Sequence, residues 1–253
     1  MSRIPVDSAA RPIIGIWQHF PLPMISRLLA RMGWDWVVVD MQHSAPTTET
    51  VYECVRTLAS GGVTPIVRTG IGAPAEVQRA LDLGARGVVV PMVNSAAEAR
   101  AMAAAAKYPP LGNRSFGGDN AWHYGEDYFD TANQQTLLLV QVEHIDSVND
   151  VEAIMATPGV DGCFIGPTDL AMSMGLGRSG FEDHADHRAA ITRTLAACKQ
   201  HGKLACSNTY SYAEFDQKRA QGFDVLTFKS EADLFVASST ALAAELRGRA
   251  GRK

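Results

Sequence analysis

Gly33-Trp-Asp-Trp-Val-Val-Val-Asp40 recurs in altered form, at irregular spacing, as Gly84-Ala-Arg-Gly-Val-Val-Val-Pro91, Gly159-Val-Asp-Gly-Cys-Phe-Ile-Gly166 and Gly222-Phe-Asp-Val-Leu-Thr-Phe-Lys229. In each, a glycine closes a segment of helical pattern and a short turn leads into a β-rich apolar run. The C-terminal cap of a helix often needs positive φ, which glycine adopts without steric penalty. The four stretches therefore read as one joint, from helix into strand, seen four times. The runs lack an alternating polar face, so they read as strands covered on both sides, as in a parallel sheet.

Filling the intervals predicts eight strands, near residues 13–17, 36–40, 64–68, 87–91, 137–143, 160–165, 203–207 and 224–229. Helical patterns are clearest over 47–60, 73–83, 95–107, 187–201 and 233–246. Thr47 and Ser95 stand where N-caps belong, Ser95 with Glu98 three residues on. Strict alternation of strand and helix, eight times, predicts a (β/α)8 TIM barrel. An open doubly wound sheet is disfavoured because no glycine-rich dinucleotide turn follows the first strand. The 253 residues fit a single barrel domain spanning 1–253. One connection, Tyr108 to Gln135, is long, aromatic and glycine-bearing, a length usually given to function or a subunit contact.

Composition narrows the function. A formal net charge of -4 gives no electrostatic basis for nucleic-acid binding, and the one basic cluster, Arg247 to Lys253, reads as a frayed terminus. No signal peptide is expected, and no apolar run approaches the roughly 20 residues that span a bilayer. Cys54, Cys163, Cys198 and Cys206 form no Cys-x-x-Cys pair, so a cytoplasmic protein without disulfides is expected.

A barrel gathers its strand exits at one mouth, so polar residues at those exits belong together. Asp40 and His43 follow the second strand, Arg68 ends the third, Gln141 and Glu143 end the fifth, and Asp169 follows the sixth behind Gly166-Pro-Thr168. Taken singly, His43 reads as a loop histidine, Arg68 as half of a salt bridge and Asp169 as a helix N-cap. Asp40 reads as a support for His43 or for local amides. Taken together they read as chemistry. Glu143 and Asp169 offer hard oxygen ligands to a divalent cation such as Mg²⁺, Mn²⁺ or Co²⁺, whose remaining positions water or substrate would fill. A 2-oxo acid would chelate there, Arg68 would meet its negative charge, and His43 would move a proton near neutral pH.

These residues lie in stretches that resemble the class II pyruvate aldolases of the HpcH/HpaI aldolase/citrate lyase family. The most specific are Val140-Gln-Val-Glu143, Gly159-Val-Asp-Gly-Cys-Phe-Ile-Gly-Pro-Thr-Asp-Leu-Ala-Met-Ser-Met-Gly175 and Ala80-Leu-Asp-Leu-Gly-Ala-Arg-Gly-Val-Val-Val-Pro-Met-Val93. The resemblance implies a barrel whose last helix swaps between neighbours in a homohexamer, a trimer of dimers. It implies reversible, metal-dependent cleavage of a 4-hydroxy-2-oxo acid to pyruvate, or a related 2-oxo acid, and an aldehyde, through an enolate. By that resemblance Glu143 and Asp169 hold the metal, and Arg68 contacts the pyruvate carboxylate or enolate. His43 is the acid–base group with Asp40 in support, and Gln141 lies beside the metal. Gly166, Pro167 and Thr168 offer backbone contacts to substrate, and Asp82 reaches an adjacent subunit's site. Trp17, His19, Phe20, Trp122, Tyr124 and Lys229 are candidates for the substrate pocket.

The chain departs from the family pattern in three places. Gln42 precedes His43 where the family usually has Glu, and His144 follows Glu143 where Thr is common. Near the last strand, Thr227-Phe-Lys-Ser-Glu-Ala-Asp233 replaces a small glycine- or serine-rich turn and puts Lys229 at a strand exit, suited to an acidic aldehyde or a neighbouring carboxylate. Three rival readings are a CoA-ester lyase, a Schiff-base aldolase built on Lys229, and a non-catalytic keto-acid binding protein.

Overall fold

A computed structural model describes residues 12–251. The segment where a signal peptide would begin and the last two residues of the basic cluster lie outside the described residues. Eight strands form a closed, all-parallel barrel in chain order: β1 (Ile13–Gln18), β2 (Trp36–Asp40), β3 (Thr64–Arg68), β4 (Gly87–Val90), β5 (Leu137–Val142), β6 (Gly162–Ile165), β7 (Leu204–Thr209) and β8 (Val225–Ser230). Each falls within a few residues of its expected place. The helices are α1 (Pro23–Leu29), α2 (Thr48–Ser60), α3 (Pro74–Asp82), α4 (Ala96–Ala106), α5 (Asn120–Tyr124) and α6 (Tyr128–Gln135). They continue with α7 (Ile145–Asn149), α8 (Val151–Met155), α9 (Pro167–Ser173), α10 (Ala185–Gln200), α11 (Tyr212–Gln221) and α12 (Glu231–Arg249).

The joints behave as the sequence predicts. Gly33, Gly84, Gly159 and Gly222 all have positive φ, between 82° and 103°. Thr47 accepts a hydrogen bond from the Thr50 amide, and Ser95 from the Glu98 amide, so both cap their helices. The Tyr108–Gln135 connection is no open loop. It holds α5 and α6 around a small core of Tyr108, Tyr128 and Ala132. These helices are too short for a 3.6-residue period to emerge, which is why the sequence pattern missed them.

Strand residues of one parity fill the barrel interior, among them Ile13, Trp17, Trp36, Val38, Ile66, Val89, Leu139, Phe164, Cys206 and Val225. Those of the other parity, such as Val37, Val39, Val88, Val140 and Leu226, pack beneath the helices. Burial on both sides explains the uninterrupted apolar runs. The interior is a packed plug. A Cβ on Gly15 would stand 1.7 Å from Trp36 Nε1, so that glycine makes room for the indole.

Candidate active site

Continuing the inward parity by one or two steps places Trp17, Asp40, Arg68, Gln141, Asn208 and Thr227 in the layer above the apolar plug. The mouth is therefore polar because the last inward residue of several strands is polar.

Arg68 is clamped on two sides. Its Nε donates to Asp40 Oδ1 at 2.8 Å and its Nη2 to Asp40 Oδ2 at 2.7 Å. Its Cζ lies 4.4 Å from the centre of the Trp17 ring. That pairing is bidentate, the fork-on-carboxylate geometry in which Arg is most strongly oriented. Trp17 is held in turn, with Nε1 donating to Thr227 Oγ1 at 2.9 Å and its ring meeting Phe164 edge-on. Thr227 Oγ1 in turn donates a hydrogen bond to Asn208 Oδ1 at 2.8 Å. Asp40 is fully buried and also accepts from the Gln42 amide. Burial opposes its charge, but Arg68, the Gln42 amide and His19 together hold its carboxyl below the usual range.

Across the mouth stands Glu143, 3% exposed. Its Oε1 accepts from the Met92 amide at 2.9 Å and its Oε2 from Gln141 Nε2 at 2.7 Å. Burial pushes its carboxyl up to about 7. The charge of Asp169 acts in the same direction, while the Met92 amide and Arg68 act against it. Asp169 lies in the first turn of α9, exposed, with Gly166 as the N-cap residue, so the N-cap reading of Asp169 does not hold. A Cβ on Gly166 would stand 2.6 Å from Glu143 Oε2, which is why the turn before α9 begins with glycine. Pro167 is fixed by His187, whose Nε2 lies 2.9 Å from the Pro167 carbonyl oxygen, and Thr168 follows it.

These residues fit a hard divalent cation. Two carboxylates repel across the site, one of them buried, and Gln141 Oε1 beside them is buried without a hydrogen-bond partner among the described residues. A cation would relieve the repulsion and give oxygen donors something to face. Among the described residues no group of three or more His, Cys, Asp or Glu converges on one point. Water or substrate oxygens would therefore complete the shell.

Other expected residues stand elsewhere. His43 is exposed and makes no ion pair among the described residues, so Asp40 supports Arg68 and not His43. The imidazole beside Asp40 is His19, with Nε2 3.7 Å from Oδ2. Asp82, at the end of α3, pairs with Arg114 Nη2 at 2.7 Å and does not reach the mouth of its own barrel. His144 caps α7, its Nδ1 accepting from the Asp146 amide. The Tyr124 hydroxyl donates to the Gly84 carbonyl at the entry end of β4, and Trp122 is 88% exposed beside it. Neither lines the mouth. Sequence reasoning missed Met92, Asn208 and Thr227. Met92 acts through its backbone and leaves no side-chain signal. Asn208 and Thr227 were within reach of the period-two register of their strands.

Comparison with known proteins places the chain in a family. The family model described as HpcH/HpaI aldolase/citrate lyase matches residues 14–233. A hydroxypyruvate/pyruvate aldolase of Rhizorhabdus wittichii is 34% identical over 242 residues, covering 94% of this chain and 95% of the relative. A 4-hydroxy-2-oxo-heptane-1,7-dioate aldolase of Escherichia coli is 35% identical, covering 77% of this chain and 75% of the relative. The crystal structure of an HpcH/HpaI aldolase/citrate lyase family protein from Burkholderia cenocepacia J2315 superposes with a TM-score of 0.86 at 32% identity, covering 94% of this chain and 95% of that one. A chain matched over nearly its whole length, with a buried Glu143 facing Asp169 across a barrel mouth that clamps Arg68, belongs to the HpcH/HpaI aldolase/citrate lyase family.

Proposed function

We propose that this protein is a carbon–carbon lyase, a metal-dependent aldolase. It reversibly cleaves a 4-hydroxy-2-oxo acid into pyruvate, or a related 2-oxo acid, and an aldehyde. The observation that carries this reading is the buried Glu143, coupled to Asp169 and facing a guanidinium held rigid between Asp40 and Trp17. The family and its aldolase-named relatives support it.

Glu143 and Asp169 would hold a divalent cation, with Gln141 beside them. When bound there, the ion would act as a Lewis acid on the oxygens of the 2-oxo acid. Arg68 orients the substrate carboxylate and opposes the negative charge that develops on the 2-oxo acid half. Its clamp matters because a preorganised donor needs no rearrangement in the transition state. His43 takes the proton of the 4-hydroxyl, the C3–C4 bond breaks with its electron pair passing to C3, and the protonated His43 then returns that proton to C3. The turn at Gly166, Pro167 and Thr168 borders the 2-oxo acid. A Schiff base on Lys229 would leave the Met92–Glu143–Gln141 arrangement without a role.

The same reading extends to assembly. α12 carries Leu234, Phe235, Val236, Leu242 and Leu246, each at least 40% exposed, and its main packing partners are β1 and β8. A helix so apolar is expected to be covered by another subunit, consistent with a swapped helix in a hexamer, and Asp82 would then serve a neighbour's site. No helix among the described residues is long and apolar enough to cross a membrane, and all four cysteines are free and buried, which supports a reducing cytoplasm.

The test is pyruvate-forming cleavage of a panel of 4-hydroxy-2-oxo acids before and after EDTA, with Mg²⁺, Mn²⁺ or Co²⁺ returned. Activity lost to EDTA and restored by metal is expected, and the restoration ranks the ions. Activity indifferent to EDTA would defeat the Glu143–Asp169 assignment.

A further inference from the structure

Among the described residues, two that are not glycine hold positive φ: Met92 at 54° and Lys229 at 58°. Both stand at the mouth, Met92 just beyond β4 and Lys229 next to the last residue of β8. Long side chains disfavour this conformation, and it persists only where the surroundings impose it. For Met92 the reason is visible, since its amide is turned onto Glu143. Lys229 has no such contact. Its Nζ lies 5.8 Å from the centre of the Phe228 ring and forms no ion pair among the described residues.

The strain comes from a bulge. The pairing of β8 with β1 steps from Gly15↔Thr227 to Trp17↔Ser230, so Phe228 and Lys229 together oppose Ile16. Bulges beside active sites redirect a side chain. This one sets a half-buried lysine at the rim where β8 meets β1, the strand that leads to His19. The two nearby carboxylates are already engaged. Glu231 accepts from the His19 and Phe20 amides, and Asp233 from the Ser230 amide and hydroxyl. Neither forms an ion pair with Lys229 among the described residues. His19, just beyond β1, is 39% exposed at the side chain, with its Nε2 3.7 Å from an Asp40 carboxylate already forked by Arg68.

Glu143 and Asp169 stand on the β5–β6 side of the mouth, while the β8–β1 rim offers the Lys229 ammonium, which forms no ion pair among the described residues, and the His19 imidazole. If the 2-oxo acid half sits between the acidic pair and Arg68, the aldehyde half extends toward that rim. We propose that Lys229 is a specificity-determining residue that receives a carboxylate on the aldehyde half of the substrate, with His19 flanking it. This rests on the aldolase reading above.

The experiment compares aldol addition of pyruvate to matched pairs of aldehydes in the metal-loaded enzyme: glyoxylate with acetaldehyde, and succinic semialdehyde with butyraldehyde. The variants are Lys229→Met, Lys229→Arg and Lys229→Gly. A charge-assisted hydrogen bond lost without loss of the fold lowers the ratio of kcat/KM for acid over neutral aldehyde by about 10- to 100-fold in the Met and Gly variants. Lys229→Arg retains the ratio. Lys229→Gly also raises Tm, because glycine tolerates the positive φ. An unchanged ratio in Lys229→Met, or a wild type with no preference for the acid of either pair, overturns the proposal. Loss of all activity in Lys229→Met would instead indicate a Schiff base and overturn it too. Oxaloacetate decarboxylation by the wild type, run alongside, separates the two levels. Its absence together with absent cleavage sinks the aldolase reading and the subsite with it. Its presence with an unchanged ratio sinks the subsite alone.

Discussion

Glu143→Gln is expected to stabilise the metal-free protein while abolishing its activity. The reasoning starts from burial. Glu143 has its carboxyl pushed up to about 7 from an ordinary 4.5. Between those values the unfolded chain ionises Glu143 while the native state keeps its proton, so stability falls as pH rises and the loss is complete above about 7. A difference of 7 − 4.5 = 2.5 units, at about 1.36 kcal/mol each, amounts to about 3 kcal/mol. Glutamine does not titrate. Its carbonyl still accepts from the Met92 amide, and its amide can donate to Gln141, whose Oε1 lacks a partner among the described residues. The assay is thermal unfolding in EDTA at pH 5 and pH 8.5. At pH 8.5 the variant should melt roughly 6–12 °C above the wild type, a gap that shrinks at pH 5 to under about 1 kcal/mol. Adding Mn²⁺ should raise the wild type's Tm and not the variant's, because a ligand stabilises only the state that binds it. A variant no more stable than the wild type at pH 8.5, or a gap that ignores pH, would refute the argument.

Further outcomes are expected of substitutions at Asp40, Gly15 and Asp82. Asp40→Asn breaks the buried fork with Arg68, lowering stability by about 3–5 kcal/mol and raising KM for the 2-oxo acid; unchanged kinetics would show that the clamp is idle. In the wild type the depressed Asp40 carboxyl contributes stability that is present above its ordinary value near 3.8 and lost as pH falls through its lower folded value, so acid unfolding of Asp40→Asn should be shallower. Gly15→Ala forces a methyl into the Trp36 indole and should cost about 1–3 kcal/mol with altered near-ultraviolet circular dichroism of Trp36; a stable variant with an unaltered spectrum would count against the packed plug. If Asp82 serves a neighbour's site, Asp82→Asn and Glu143→Gln, each inactive alone, should regain activity when unfolded together and refolded as mixed oligomers; no recovery would confine Asp82 to its ion pair with Arg114.

Much of the mouth was legible because a parallel strand announces itself twice. Its apolar run gives the strand, and the first polar residue at its exit marks where the mouth begins. Asp40, Arg68, Gln141 and Glu143 all surfaced this way. Residues that act through the backbone, as Met92 does, leave no such mark. Short helices such as α5 and α6 hide because two turns cannot establish a period.

Sequence by itself determined the barrel, since four glycine joints, eight apolar runs and two capped helices are local features whose physics needs no distant partner. It also determined that carboxylates and a guanidinium share one end, because strand exits in a barrel converge. Tertiary structure decided who pairs with whom. Asp40 lies three residues from His43 but binds Arg68, because β2 and β3 run in register, with Asp40 opposite Arg68. The Glu143 carboxyl is pushed up because β4, β5 and the turn before α9 close over it, and Lys229 takes its positive φ where a bulge shifts one strand against its neighbour. Stagger between strands is a property of the closed barrel as a whole, and no window of the chain contains it.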